Sequence, residues 1–255
     1  LKHFILFFGF IREGTILAEA KKYEGKTNFA VYAVWAALIS VASLLPSIPM
    51  VGTGGTFSLK AIVLPLAGIL FGPAAGAIIC TIGGFIGQML APHTAWMGIA
   101  TFITGIFTGT IAGFVSRGNW KVPLGLLVVF TGLWLSTSIG RQAIIFPAVF
   151  YSMGAITIIL GGFFAKKWLL GTNPALRGAA IWLSAFSGFV LAAGYANFVG
   201  GILMLQLPAQ VWAGLAFISP IERAVFSLGA AIIGVPLLVG LPKIGVFVGP
   251  KPEGE

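Results

Sequence analysis

Between residue 25 and residue 252 the chain carries one carboxylate, Glu222, and its neighbour is a cation, Arg223. No aspartate occurs anywhere. Acid–base chemistry by a carboxylate pair is therefore closed to this protein, and a proton relay through several membrane acids is disfavoured for the same reason. Histidine occurs twice, as His3 and His93, too few for a bis-histidine haem or a His-rich metal centre. Walker A, H-E-x-x-H and G-x-S-x-G sequences are missing. The expectation is no enzyme, no cofactor and no metal site.

What the residues could do is recognise charge. Lys60, Arg141 and Arg223 stand alone in apolar surroundings. An ionised side chain at mid-bilayer costs about 2.5–3.5 kcal/mol on insertion scales, so these three should face a wet cavity or the membrane interface. One reading is a cationic pocket for a small organic anion. The other is snorkelling anchors plus a local Glu222–Arg223 pair. Neutral groups could complete a pocket: His93 and Trp96 in APHTAW, Asn197 and Tyr195 late in an apolar run, and Gln206, Gln210 and Trp212 further on. An amide such as Asn197 needs a partner inside a membrane. The simpler readings are an incidental loop residue for His93 and interfacial belt residues for Trp96 and Trp212.

The elements that must position these groups emerge from composition. Hydrophobic residues make up 58% of the 255, charged residues 8%, and the mean hydropathy is +1.04; a soluble domain carries about 25% charged residues. The runs are continuously apolar rather than alternating, which excludes a barrel. The fold class is all-α, a polytopic helical membrane protein with about eight transmembrane helices. Candidate spans are 28–46, 58–72, 74–91, 95–116, 122–139, 143–165, 178–204 and 220–241. The stretch 122–165 would make roughly 66 Å of helix where one crossing takes about 30 Å; it crosses twice, bending at Gly140-Arg141-Gln142. Residues 1–27 form a cytoplasmic or interfacial tail, 28–242 the membrane domain and 243–255 a second, cytoplasmic tail. Within the first tail, residues 2–13 are too short to span, and Arg12-Glu13 argues for an interfacial helix over a signal peptide.

Orientation is set by the cations. With both termini cytoplasmic, inside segments hold Lys2, Arg12, Lys21, Lys22, Lys26, Arg117, Lys121, Lys166, Lys167, Arg177, Lys243 and Lys251, and outside segments only Lys60, Arg141 and Arg223. That is the positive-inside pattern. The net charge of +9 thus records topology and anionic membrane lipid rather than nucleic acid. Lone Cys80 reads as a small buried hydrophobe. Glycines recur every fourth residue at Gly68, Gly72 and Gly76, at Gly83 and Gly87, and at Gly105, Gly109 and Gly113, which lets helix backbones approach closely. Ala33 and Ala37 form another small-xxx-small surface, for a span of the same chain or for a partner helix. The segment LPSIPMVGTGGTFSLK, 45–60, cannot continue a membrane helix and reads as irregular, either a plain connection or a cover over a site.

Together with the two spans after it, this segment makes the stretch LPSIPMVGTGGTFSLKAIVLPLAGILFGPAAGAIICTIGGFIGQML. That stretch resembles the front half of a substrate-binding S component of an energy-coupling factor (ECF) transporter. LPAQVWAGLAFISPIERAVFSLGAAIIGVPLLVGLP resembles that family's last connection and last helix. The resemblance covers roughly 29–116 and 178–242 and leaves 118–176 as an extra helical pair on a six-helix core. It implies a plasma-membrane protein that binds a vitamin-like micronutrient and works with a transmembrane coupling subunit and two ATPases. By the resemblance, 46–58 with Pro46, Gly52, Gly54 and Gly55 would be a lid, and Ala33 and Ala37 would contact the coupling subunit. Ligand contacts would come from the outer loops and last helices, around Glu222 and Arg223. The candidate substrate-binding set is Lys60, His93, Trp96, Arg141, Asn197, Glu222 and Arg223. The alternatives are an accessory subunit of a larger membrane complex, which predicts covered polar residues and no pocket, and an independent transporter or channel, which predicts inverted repeats that the two halves do not display.

Overall fold

A computed structural model describes residues 29–45, 47–49 and 56–251. The N-terminal tail 1–27 and the lid positions Pro46, Gly52, Gly54 and Gly55 lie outside the described residues. Nine α-helices and one short hairpin are seen among the described residues. In chain order they are α1 (Phe29–Ala42), β1 (Ser47–Pro49), β2 (Thr56–Ser58), α2 (Lys60–Phe71), α3 (Pro73–Leu90), α4 (Ile103–Ser116), α5 (Lys121–Ser136), α6 (Ser138–Gln142), α7 (Ser152–Leu170), α8 (Pro174–Ala196) and α9 (Ala209–Gly240). A 3-10 turn, Gly98–Phe102, leads into α4. Two π-helical segments, Pro147–Tyr151 before α7 and Asn197–Met204 after α8, lengthen those helices. Among the described residues, five helical runs are long and apolar enough to cross a membrane: Pro73–Leu90, Gly98–Ser116, Pro147–Leu170, Pro174–Met204 and Ala209–Ile244. Phe29–Ala42, Lys60–Phe71 and Lys121–Ser136 are shorter apolar helices. The molecule is an all-α polytopic membrane protein.

Helix boundaries obey local chemistry. Pro73 opens α3, a position where its missing N–H costs nothing. Asn173 caps α8, its Oδ1 accepting from the N–H groups of Ala175 at 2.9 Å and Leu176 at 3.4 Å. Thr137 caps α6 by accepting from Gly140 N–H at 2.9 Å. Between α2 and α3 the chain turns at Gly72, whose φ of +103° strains any other residue. Two expectations are corrected. Segment 45–60 is not wholly irregular, since β1 and β2 pair antiparallel with Ser47 opposite Ser58 and Pro49 opposite Thr56. The last helix starts at Ala209 rather than 220, with Pro220 and Pro236 both inside it.

α8 is the central helix. Fourteen of its 23 residues are buried, and it packs on α4, α7, α9 and α5. The glycine series supplies the contact of α2, α3 and α4. A Cβ on Gly68 would collide with the Gly109 carbonyl, one on Gly76 would stand 2.7 Å from Gly68 Cα, and one on Gly113 2.7 Å from Pro73 Cα. α1 packs the same way on α3: Ser40 Oγ donates to Gly83 O at 3.2 Å, while Ala33 and Ala37 are exposed on another face. At the Arg117 end of the bundle, that side chain donates to Gly68 O at 2.9 Å, Ile69 O at 3.3 Å and Gly249 O at 3.2 Å. It thereby caps the C-terminus of α2 and, with Gly249 N–H on Leu70 O at 2.8 Å, ties the segment beyond α9 back onto the bundle.

Candidate substrate-binding site

At the opposite end, a cavity of about 90 Å³ lies under the hairpin. β2 contributes Thr56 and Ser58, the start of α2 Lys60, Ala61 and Leu64, and the loop after α3 Thr94 and Trp96. α4 and its leading turn present Thr101, Thr104 and Thr108, α8 presents Phe189 to Ala196 on its inner face, and Asn197 and Arg223 close the wall. Of the seven predicted site residues, the fold brings Lys60, Trp96, Asn197 and Arg223 to this cavity. Glu222 stands behind Arg223 as its ion-pair partner, Nη1 to Oε2 at 2.5 Å, without lining the space. His93 is exposed in the turn Pro92–Thr94. Arg141 sits at the expected bend, exposed, donating to Leu135 O at 3.2 Å and Ser136 O at 2.9 Å. Neither lines the cavity.

Among the further polar candidates, Tyr195 donates to Ala100 O at 3.3 Å. Gln206 lies in the connection before α9 and Gln210 in its first turn; neither lines the cavity. Trp212 is not a belt residue. It is 1% exposed, its indole donates to Leu207 O at 3.1 Å, and its ring meets Trp134 edge-on at 4.7 Å within an aromatic core that includes Phe146. Trp96 is half-buried in the cavity wall and packs over Gly200.

The cavity is polar in a particular way. Thr56 Oγ1, Ser58 Oγ and Asn197 Nδ2 are buried without hydrogen-bond partners among the described residues. Buried polar groups are nearly always paired, and leaving one unpaired costs about 1–3 kcal/mol. Three such atoms face one small space, where a hydrogen-bonding group could pair them. Lys60 Nζ has one long bond there, 3.5 Å to Thr94 Oγ1. Thr104 and Thr108 direct their hydroxyl protons to Thr101 O at 2.7 Å and Thr104 O at 2.9 Å, so their lone pairs are left to accept. The wall therefore offers donors from Lys60 and Asn197 and acceptors from the threonine stripe.

Arg223 is 6% exposed, and a guanidinium at that depth requires compensation. Glu222 supplies the counter-charge. Phe150 offers its ring, 5.7 Å from the guanidinium carbon. Beside them lies the Tyr151 hydroxyl, next to Arg223 and Asn197 yet without a hydrogen bond of good geometry. Phe150 and Tyr151 belong to one π-helical segment and Asn197 opens the other. Such departures from the α-helix often occur at functional sites. Reasoning from sequence missed Tyr151 and the threonines. The spacing of Thr101, Thr104 and Thr108 on one helical face was a legible signal for the latter; nothing in the sequence marked Tyr151.

The family described as ECF-type riboflavin transporter, S component, matches residues 26–166, more than half of the chain. The chain belongs to this family. S components are membrane substrate-binding subunits, not enzymes, and work with a transmembrane coupling subunit and two ATPases. The matched stretch contains Ala33, Ala37, Lys60, His93, Trp96 and Arg141, and runs on through α5 and most of α7. Asn197, Glu222 and Arg223 lie beyond it. An uncharacterized protein of Methanocaldococcus jannaschii is 27% identical over 168 residues, 63% of this chain and 54% of the relative. The chain thus spans about half the length of the curated relative it matches. No solved structure matches.

Proposed function

We propose that this S component captures a small, vitamin-like organic anion in the cavity beneath the hairpin and delivers it, through the plasma membrane, to a coupling subunit driven by two ATPases. The observation that carries this reading is the convergence on one space of Lys60, Arg223 and three buried polar atoms that have no partner among the described residues. Arg223 is neutralised by Glu222, so Lys60 is the cation that a ligand's negative charge would pair with. Asn197 Nδ2 and the hydroxyls of Thr56 and Ser58 would orient the remaining polar groups, and Trp96 and Phe189 would pack on an aromatic or apolar part.

At about 90 Å³ the cavity is smaller than the roughly 300–1,000 Å³ of ligand pockets. Ligand entry therefore requires the wall to move. The hairpin strands have three residues each and are among the shortest elements of that wall, which makes 46–58 the lid in this reading. Ala33 and Ala37, exposed on α1, are the surface offered to the coupling subunit, and both termini lie on the cytoplasmic side. The family's description makes riboflavin the first ligand to try, and its 5′-phosphate is the anionic counterpart to compare with it. Hydrogen exchange of purified protein tests the reading: ligand should slow exchange in 47–58 and leave α5 unchanged. Unaltered exchange in 47–58 with ligand demonstrably bound would reject the lid.

A further inference from the structure

Tyr151 stands behind the cavity wall rather than in it. The residue is 3% exposed, and its hydroxyl has no hydrogen-bond partner among the described residues. A phenylalanine would fill the same space without burying a polar atom. The ring has little room to move. Phe146 and Trp134 meet it edge-on at 5.7 and 6.3 Å, and Phe150 lies against it at 5.8 Å. Trp134 is itself anchored, its indole donating to Gly140 O at 3.1 Å. Aromatic side chains of α5 and of the segment before α7 thus deliver the hydroxyl to one place.

That place is beside the Asn197 carboxamide, with the Arg223 guanidinium near by. The packing agrees. Tyr151 shares a core cluster with Phe198 and Ile202, which belong to the π-helical segment that Asn197 opens. Phe150, its chain neighbour, holds the Arg223 guanidinium carbon 5.7 Å from its ring centre. Asn197 lines the cavity, yet its Nδ2 is buried and, like the phenol, has no partner among the described residues. A carboxamide has a donor edge and an acceptor edge, and a hydroxyl turns about its C–O bond to serve either. Whichever edge engages Tyr151, the other is left for the cavity.

On the reading that the cavity is the substrate site, we infer that Tyr151 is a positioning residue for recognition: its hydroxyl holds the Asn197 carboxamide in one orientation and so fixes which edge a substrate meets. Tyr151 acts only through Asn197. An amide released from it would present either edge, and the substrate would bind only the fraction with the matching edge forward.

Side-chain amide NMR of protein isotope-labelled at asparagine nitrogen reads that orientation without a ligand. The Asn197 signal is the one lost in Asn197→Leu. In wild type its two amide protons should give one sharp pair. In Tyr151→Phe, which removes a single oxygen and keeps the ring, that pair should broaden or split while the Asn119 and Asn173 signals stay in place. Titration with riboflavin supplies the functional readout. Tyr151→Phe should weaken binding about fivefold, the scale of one neutral hydrogen bond, at an unchanged or higher melting temperature. It should cost nothing further once Asn197→Leu is present. A sharp Asn197 pair that persists in Tyr151→Phe would overturn the inference whether or not riboflavin binds, and so would losses from the two substitutions that simply add. Asn197→Leu protein that binds as tightly as wild type would end the substrate role of Asn197 and the positioning role together. A weakened Asn197→Leu beside an unaffected Tyr151→Phe would overturn the positioning role alone.

Discussion

Lys60 Nζ stands 3.5 Å from Thr94 Oγ1, joining the first residue of α2 to the turn on the facing wall of the cavity. That bond is long, and Thr94 already donates its own hydroxyl to Ala91 O at 2.8 Å. The ammonium is thus held in place without being neutralised. Lys60→Met should weaken an anionic ligand by about 1.5–3 kcal/mol, the scale of a hydrogen bond to a charged group. A neutral ligand of the same shape should lose far less. Equal losses for both in calorimetric titration would show that Lys60 shapes the cavity and does not read charge.

Arg223 holds an ion pair with Glu222 and also lines the cavity, and two variants test whether it contacts the ligand as well. Arg223→Ala removes the ion pair with Glu222 and should lower stability by about 3–5 kcal/mol, the scale for breaking a buried pair. Adding Glu222→Gln should recover most of that stability in thermal unfolding. It should not recover ligand affinity, which should stay about 1.5–3 kcal/mol weaker. Affinity that returns together with stability would remove Arg223 from the site.

The glycine contacts give a stability test that is independent of ligand. Gly68→Ala drives a Cβ into the Gly109 carbonyl and should cost about 1–3 kcal/mol, the scale of overpacking. Gly125→Ala on α5 meets nothing within 4 Å and should be neutral or stabilising by about 0.5–1 kcal/mol. Similar melting temperatures for the two variants would contradict the close packing of α2 on α4.

Ala33 and Ala37 are exposed while Ala36 and Ser40 face α3. Ala33→Trp or Ala37→Trp should block copurification with the coupling subunit and leave ligand affinity within about 0.5 kcal/mol of wild type, as for surface changes away from a site. Unimpaired assembly would place the coupling contact on another face.

Much of this architecture is legible without coordinates, and the reasons are physical. The apolar runs announce themselves because hydrocarbon tolerates little else, and the glycine periodicity marks helix contacts because a Cβ is excluded there. The hairpin escapes notice: its strands have three residues each, too few for a period-2 pattern. The start of the last helix is misplaced by Pro220, which resembles an N1 proline but sits inside a helix of 32 residues. Within the site, isolated polar side chains such as Lys60, Asn197 and Arg223 stand out against apolar sequence. Charge alone does not say which of them converge: Arg141 has the same signature and instead binds the carbonyls of its own bend. Tyr151 is hidden because a π-helical turn, invisible in composition, places it beside Asn197.

Whether the substrate sits in the cavity beneath the hairpin is tested most directly by calorimetric titration with riboflavin and its 5′-phosphate, comparing wild-type protein with the double variant Lys60→Met, Asn197→Leu. The predicted result is saturable binding of one molecule to the wild type and at least tenfold weaker binding, about 1.4 kcal/mol, to the double variant at unchanged melting temperature. Saturable binding of equal strength to both proteins would contradict a substrate site in that cavity.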